Sequence, residues 1–168
     1  MDWQRNPQTY LNFGTNAGVT TTVPAEAGKI KYISAVHGAT DKNHATIEIY
    51  SPISGTVATT SGSKTVTGTG TDFINELYPG ACIRVNDNSE ILFVDTITSK
   101  TAFTATANAS NNETSSGAVL LLASIEYTKG SIDGHFDRGF RGVRGQSISA
   151  KITESTSACS LGVSAYST

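Results

Sequence analysis

The sequence predicts an all-β protein: an antiparallel β-sandwich with a small β-barrel-like domain inserted between its strands. Apolar residues alternate with polar residues in many short runs, and helical periodicity is nearly absent. Thr, Ser and 16 Gly residues fill much of the chain, a composition that solvates strand faces without charge. Charged residues make up only 15% of the chain, against about 25% in ordinary globular proteins.

Shifts in composition divide the chain into three predicted parts. Residues 1–18 are polar and lack a period, which predicts an N-terminal arm. This arm either orders only on a partner or docks as a strand on its own domain, and the sequence leaves both possibilities open. Residues 19–53 and 118–168 are predicted to form the outer β-sandwich, and residues 54–117, rich in Thr, Ser and Gly, the inserted β-domain.

The first half of the sandwich is predicted to contain a hairpin. Val19–Val23 is a short strand closed by Pro24. Lys29–His37 and Ala45–Tyr50 both alternate, and the polar segment Gly38–Asn43 between them has the composition of a turn. We therefore expect two antiparallel strands joined by that turn.

The second half of the sandwich begins with the strongly apolar run Val119–Tyr127, which predicts a buried strand. Gly130–Gly145 has the composition of a long loop. Ser147–Thr153 and Ser160–Tyr166 alternate again and predict the last two strands. A strand this close to the end of the sequence is expected to pair in a sheet, because it would otherwise fray.

The inserted domain is organised around one stretch, residues 63–85. Gly68 and Gly70 interrupt a Thr-rich strand, and Thr71 and Asp72 are suited to cap a short helical turn over Phe73–Leu77. Glu76 is placed to bond back to the cap, and Pro79-Gly80 then reverses the chain. The strands predicted for the insert are 56–60, 63–67, 81–85, 90–97 and 102–106, followed by a polar loop at 108–117.

Bulk properties exclude several classes of function. The net charge of −2 gives no general attraction to nucleic acid. No apolar run approaches the roughly 20 residues of a membrane span, and residues 1–6 lack the apolar core of a signal peptide, so we expect synthesis in a cytoplasm and no membrane partner. Cys82 and Cys159 both lie in apolar alternating runs, which favours two buried thiols, although a disulfide stays open.

The best candidate for chemistry is His135, which Asp133 and Asp137 flank. This cluster is compatible with a metal site, or with an acid–base pair in a small hydrolase. A polar loop with local salt bridges is the simpler interpretation, since no nucleophile or metal motif has a defined spacing to it. His37 and His44 flank the predicted turn and favour a surface pair. The sequence therefore predicts no catalytic residues, no metal site, no cofactor and no enzyme.

A basic segment is the best candidate for a contact surface. Between residues 138 and 145 an arginine recurs at every third position, each followed by Gly, with no acidic residue up to 151. Guanidinium groups suit bidentate pairing with carboxylates on a neighbouring subunit, although a solvated Gly-rich loop would look the same. The predicted subunit or partner interface comprises Arg138, Phe140, Arg141 and Arg144, with the aromatic residues Trp3, Tyr10 and Phe13 of the N-terminal segment.

Residues 60–107 carry a resemblance to a known type of module. Thr-Val-Thr-Gly-Thr-Gly-Thr-Asp-Phe at 65–73, Leu-Tyr-Pro-Gly-Ala-Cys-Ile-Arg-Val at 77–85 and the strand pair at 91–104 resemble a module of tailed-bacteriophage virion proteins. The strands at 28–50 and 148–166 are similar to the first and last hairpins of small phage β-sandwich proteins, among them capsid decoration (cement) proteins.

The resemblance implies a structural virion protein that is made in the host cytoplasm. Decoration proteins sit on the assembled head and are often trimers, so a homotrimer that binds the major capsid protein or other virion proteins is the leading expectation. A tail or tail-fibre component would have a similar sequence, with exposed insert loops such as 108–117 binding a surface glycan.

Overall fold

The protein is all-β, as the sequence predicts. The computed structural model describes the backbone of residues 8–14, 19–87, 89–153 and 159–168, and their side chains apart from 11–14, 41–44, 128, 129, 132, 153 and 159. The elements of the described residues are β1 (Gln8–Gly14), β2 (Thr20–Val23), β3 (Lys31–Pro52), β4 (Thr56–Thr59), β5 (Thr65–Thr69), α1 (Phe73–Glu76), β6 (Cys82–Val85), β7 (Ile91–Ser99), β8 (Ala102–Ala105), β9 (Glu113–Ser116), β10 (Ala118–Arg141), β11 (Ile148–Thr153) and β12 (Cys159–Ser167).

The chain divides into two compact units. One comprises Met1–Tyr50 and Leu122–Thr168, and the other comprises Ser51–Leu121. The long strands β3 and β10 each contribute residues to both units.

The discontinuous unit is built on β3, whose two halves pair with different strands. Its first half pairs antiparallel with β12, where Val36 faces Val163, and its second half pairs with β11, where Ile47 faces Ile152. β11 in turn pairs with β2, and β12 pairs with β1. One apolar core joins these strands because their inward residues alternate with outward ones. Its members are Val19, Val23, Ile33, Val36, Ala45, Ile47, Ile49, Ile148, Ala150, Ile152, Leu161, Val163 and Ala165.

The prediction of a hairpin around Gly38–Asn43 is wrong. β3 runs without a turn from Lys31 to Pro52. Gly38 serves a different purpose, because a Cβ atom there would lie 2.1 Å from the backbone oxygen of Ser160 on β12. The glycine therefore marks a close approach of two strands rather than a reversal of the chain.

The prediction of a loop over Gly130–Gly145 is also wrong, because β10 continues to Arg141. Beyond the strand, the backbone N–H groups of Gly142 and Gly145 donate to the carbonyl oxygens of Lys31 and Lys29, at 2.8 and 2.7 Å. The segment therefore stays hydrogen-bonded alongside the start of β3 until residue 145.

The start of the chain contains a strand rather than an arm alone. Within the segment predicted as an arm, Gln8–Gly14 forms β1 and pairs antiparallel with β12, from Gln8 opposite Ala165 to Gly14 opposite Cys159. Residues 1–7 and 15–18 lie outside the described residues. The sequence leaves open whether this segment orders on a partner or docks as a strand on its own domain. Residues 8–14 form the docked strand.

The continuous unit forms the strands that the sequence predicts for the insert. Its pairings run in the order β6, β7, β8, β5, β4, β9, all antiparallel, and the first residues of β10 pair with β6. The two strands at the ends of this series are β10 and β9. They are consecutive in the sequence and are linked by Gly117. The polar segment 108–117, predicted as a loop, contributes β9.

The short helix α1 closes the core of this unit, but its cap differs from the prediction. Phe73 is fully buried and meets Phe103 edge to face, with ring centroids 5.1 Å apart. Neither predicted cap acts, because the Thr71 hydroxyl donates to the Lys100 carbonyl and Asp72 makes no side-chain cap bond. Glu76 does reach back: its buried carboxylate accepts from the backbone N–H of Ser54 at 3.1 Å and, more distantly, from that of Asp72 at 3.5 Å.

Candidate functional site

The last part of β10 carries three residues of the predicted interface, Arg138, Phe140 and Arg141. Arg138 and Arg141 are exposed, and the alternation of the strand slips between them. The exposed residues Asp137 and Arg138 are consecutive, and Gly139, which follows them, has a φ of +67°. The backbone of Arg138 is fixed to β12, because its carbonyl oxygen accepts a hydrogen bond from the Tyr166 hydroxyl at 3.2 Å. Arg138 and Arg141 therefore project from a hydrogen-bonded strand and not from a loop.

Arg144 is exposed but already has a partner within its own unit. Its Nη1 donates to the carbonyl oxygen of Gly28 at 3.1 Å. This bond fastens the turn after β10 to the segment before β3. Arg144 is consequently a less available carboxylate ligand than Arg138 and Arg141.

The aromatic members of the predicted interface are distributed differently. Phe140 is half-buried and packs edge to face on Phe136, with centroids 4.5 Å apart, against the core of the discontinuous unit. Tyr10 is half-buried against the same core, and its hydroxyl donates to Gln8 Oε1 at 2.7 Å. Trp3 lies outside the described residues, as does the side chain of Phe13. Phe140 and Tyr10 thus support the strands more than they project from them.

Asp133 and His135 lie on the same strand, N-terminal to the arginines, and form a cluster with His37 of β3. His37 Nδ1 is 2.9 Å from Asp133 Oδ1, and His135 Nε2 is 3.3 Å from the same oxygen. The two imidazole rings meet edge to face at 5.2 Å. The predicted pair of His37 with His44 is not tested, because the side chain of His44 lies outside the described residues.

The surroundings of the cluster are polar and open. His37 Nε2 lies 3.5 Å from the Ser164 hydroxyl, and a surface cavity of about 340 Å³ is lined by Ser34, His135, Asp137 and Ser164 among others. The pKa of Tyr127 is raised by its burial and then by the negative charge of Asp133.

Ser164 is the hydroxyl side chain that lies beside His37 in this cluster. Ser164, His37 and Asp133 have the order of a serine–histidine–aspartate relay, but the 3.5 Å between Ser164 Oγ and His37 Nε2 exceeds the roughly 2.6–3.2 Å of an activated nucleophile.

The sequence pattern around His135 indicates a strand, but the many glycines of the segment make a loop the more obvious interpretation. Asp133, His135 and Asp137 alternate with Gly134 and Phe136, the period of a half-buried strand. The frequent glycines of the segment favoured a loop instead. The contribution of His37 depends on β3 and β10 being hydrogen-bonded neighbours in the sheet, which no local sequence pattern specifies.

The continuous unit has a polar groove of its own. It encloses about 430 Å³ and is lined largely by hydroxyl and amide side chains, including Thr65, Thr67, Asn112 and Thr114. Asn112 Oδ1 accepts from the backbone N–H of Ser61 at 2.9 Å, which fixes one wall.

Comparison with known proteins assigns no family. No protein-family model matches the chain, and no curated protein matches it. The unassembled KI polyomavirus VP1 pentamer aligns at 10% identity over 92% of this chain and 75% of that one, with a TM-score of 0.29. VP17, a capsid protein of bacteriophage P23-77, aligns at 9% identity over 92% and 98%, with a TM-score of 0.22. These scores are too low to establish a shared fold or function. Among the described residues, no helix is long and apolar enough to cross a membrane.

Proposed function

We propose that the protein is a non-enzymatic structural component of a tailed-bacteriophage virion that decorates the assembled head. The observation that carries the proposal is the resemblance of residues 60–107 to modules of such virion proteins. The all-β architecture and the small number of charged residues suit a structural protein that acts by binding to other proteins. The partners would be the major capsid protein and further copies of this chain.

The outward side of β10 supports self-association, because its charge changes sign along the strand. Asp133 and Asp137 are exposed at one end of this segment, and Arg138 and Arg141 are exposed at the other. A second copy can therefore place its carboxylates against these guanidinium groups, which bind carboxylates in a bidentate manner. A closed ring of such contacts is a symmetric oligomer, and we propose a homotrimer.

Stabilisation of the head would follow from mass action. A protein that binds the assembled shell and not its free subunits favours the assembled state, by an amount that grows with the logarithm of its free concentration above the Kd. A symmetric oligomer gains further, because several linked sites bind a symmetric shell with a higher effective concentration than one site.

The proposed interface is tested by reversing one charge. We expect native protein to have a mass near three times 17.6 kDa by light scattering, and Arg141→Glu to shift it towards the monomer. Lys64→Glu is the matched control, because Lys64 is exposed on the other unit and undergoes the same change of charge. An Arg141→Glu protein with unchanged mass and head binding would exclude this surface.

A second candidate is a tail or tail-fibre component that binds a host-surface glycan. The polar groove beside Asn112 and Thr114 favours it, since hydroxyl and amide groups are the usual partners of sugar hydroxyls. Replacing Thr65 and Thr67 by Val keeps the side-chain shape and removes two hydroxyls from the groove. Binding to a glycan array that is lost in this variant would favour the tail assignment, whereas absence of binding by the native protein would remove it.

A further inference from the structure

We propose that His37, Asp133 and His135 bind one divalent transition-metal ion of the zinc class, which joins β3 to β10. The inference rests on the geometry of three side chains and does not depend on a role in the virion. It differs from the expectation of the sequence, in which the segment around His135 is a salt-bridged loop without a metal.

The separations of the candidate ligand atoms suit a single ion. Zinc lies about 2.0–2.2 Å from nitrogen and carboxylate oxygen, so tetrahedral ligands are about 3.4 Å apart. Asp133 Oδ1 lies 2.9 Å from His37 Nδ1 and 3.3 Å from His135 Nε2, and one ligand atom from each residue falls within 4.8 Å of the others. Asp133 and His135 are exposed and His37 is half-buried, so rotation of the two exposed side chains can bring the set around one ion.

The backbone preorganises two of the three ligands. Asp133 and His135 are two residues apart on β10 and therefore point to the same side of the strand. His37 approaches from β3, and its second ring nitrogen faces the Ser164 hydroxyl at 3.5 Å. Outer contacts of this kind orient a ligating imidazole.

The donor set selects the class of metal. Two imidazole nitrogens and one carboxylate oxygen suit Zn²⁺, Cu²⁺ or Ni²⁺, whereas Mg²⁺ and Ca²⁺ prefer oxygen ligands only. The side chains of Asp133 and His135 are 67% and 72% exposed, so water can complete the coordination. A site with three protein ligands and open positions is a known arrangement for zinc.

Isothermal titration of tag-free protein with ZnCl₂ tests the proposal. We expect one ion per chain, loss of this binding in His37→Ala and in His135→Ala, and a weakening of at least about tenfold in Asp133→Asn. His44→Ala, which removes the third histidine of the chain, is the matched control and should retain binding. MgCl₂ in excess should not displace the ion. The melting temperature should rise with Zn²⁺ in native protein and in His44→Ala only.

Three results would overturn the site: no zinc binding by the native protein, binding that persists in His37→Ala and His135→Ala, or binding lost equally in His44→Ala. Circular dichroism of each variant shows whether it is folded. If His37→Ala does not fold, His135→Gln and Asp133→Asn carry the test, because both positions are largely exposed.

Discussion

The glycine at the entry to the continuous unit offers a quantitative test of the packing. Gly55 precedes β4 with a φ of +67°, and a Cβ atom there would lie 2.1 Å from the backbone oxygen of Thr69 and 2.6 Å from the carbonyl carbon of Gly70. Gly62, in the same unit, has a φ of +81° and open space around its Cα. The two glycines share the conformational requirement and differ in the steric one.

The loss of unfolding free energy expected for an alanine at each position follows from the conformational requirement and the steric one. For Gly62→Ala, a left-handed conformation costs about 1–2 kcal/mol, offset by about 0.4–1 kcal/mol from reduced freedom of the unfolded chain. The net loss is about 1 kcal/mol. Gly55→Ala adds an overlap with backbone atoms that no side-chain rotation relieves, and overpacking of this kind costs about 1–3 kcal/mol. We therefore expect a loss of about 2–4 kcal/mol.

Urea unfolding followed by circular dichroism measures both free energies of unfolding in the same background. Hydrogen exchange with mass spectrometry shows whether the loss is confined to Ser51–Leu121. If Gly55→Ala is as stable as Gly62→Ala, the close approach of Gly55 to the end of β5 is not present in solution.

Three further predictions concern single side chains. Glu26 bonds to the nearly buried Lys31 ammonium at 2.6 Å, which holds the pKa of this carboxyl below its ordinary value. Its stabilisation is present at neutral pH and lost as the pH falls through the lowered pKa. Glu26→Gln should therefore be less stable than native protein at pH 7 and converge with it in thermal melts as the pH falls below the lowered pKa of Glu26; a gap independent of pH would contradict the pair. Burial raises the pKa of the Cys82 thiol, so in Cys159→Ala its alkylation should have a higher midpoint pH when folded than in urea, and equal midpoints would oppose this burial. Leu161→Ala should cost about 2–5 kcal/mol in urea unfolding because Leu161 is fully buried in the core, and a loss under about 1 kcal/mol would be inconsistent with that position.

The sequence predicts the short strands of the insert well, because each is local. β4 to β8 lie where alternation and Gly or Pro boundaries place them, and β11 and β12 do so in the outer unit. In β4 to β8 no two consecutive residues are buried, and the buried residues are apolar except for Thr59. A period of two is sufficient information for such strands.

The long strands show where local patterns fail. Gly38 has the composition of a turn but lies within β3, since the backbone of Ser160 leaves no room for a side chain. A glycine required by a neighbouring strand looks the same in sequence as a glycine required by a turn. The same ambiguity concealed β10 between Gly130 and Arg141, and with it the position of His135 beside His37.

The residues of the predicted interface fall into two groups, because some are exposed and others contact their own fold. Arg138 and Arg141 are exposed as a contact surface needs, whereas Arg144 bonds to Gly28 and Phe140 packs on Phe136. The spacing of arginines along the sequence does not reveal which of them the fold uses internally.

Binding of the purified protein to isolated phage heads and, separately, to isolated tails tests the proposed function most directly. The proposal predicts saturable co-sedimentation with heads that lack the protein, and a higher temperature of DNA release from the heads that carry it. Arg141→Glu should bind fewer copies, and Lys64→Glu should bind as the native protein does. Binding to tails alone, or to neither particle, would contradict a decorating role on the head.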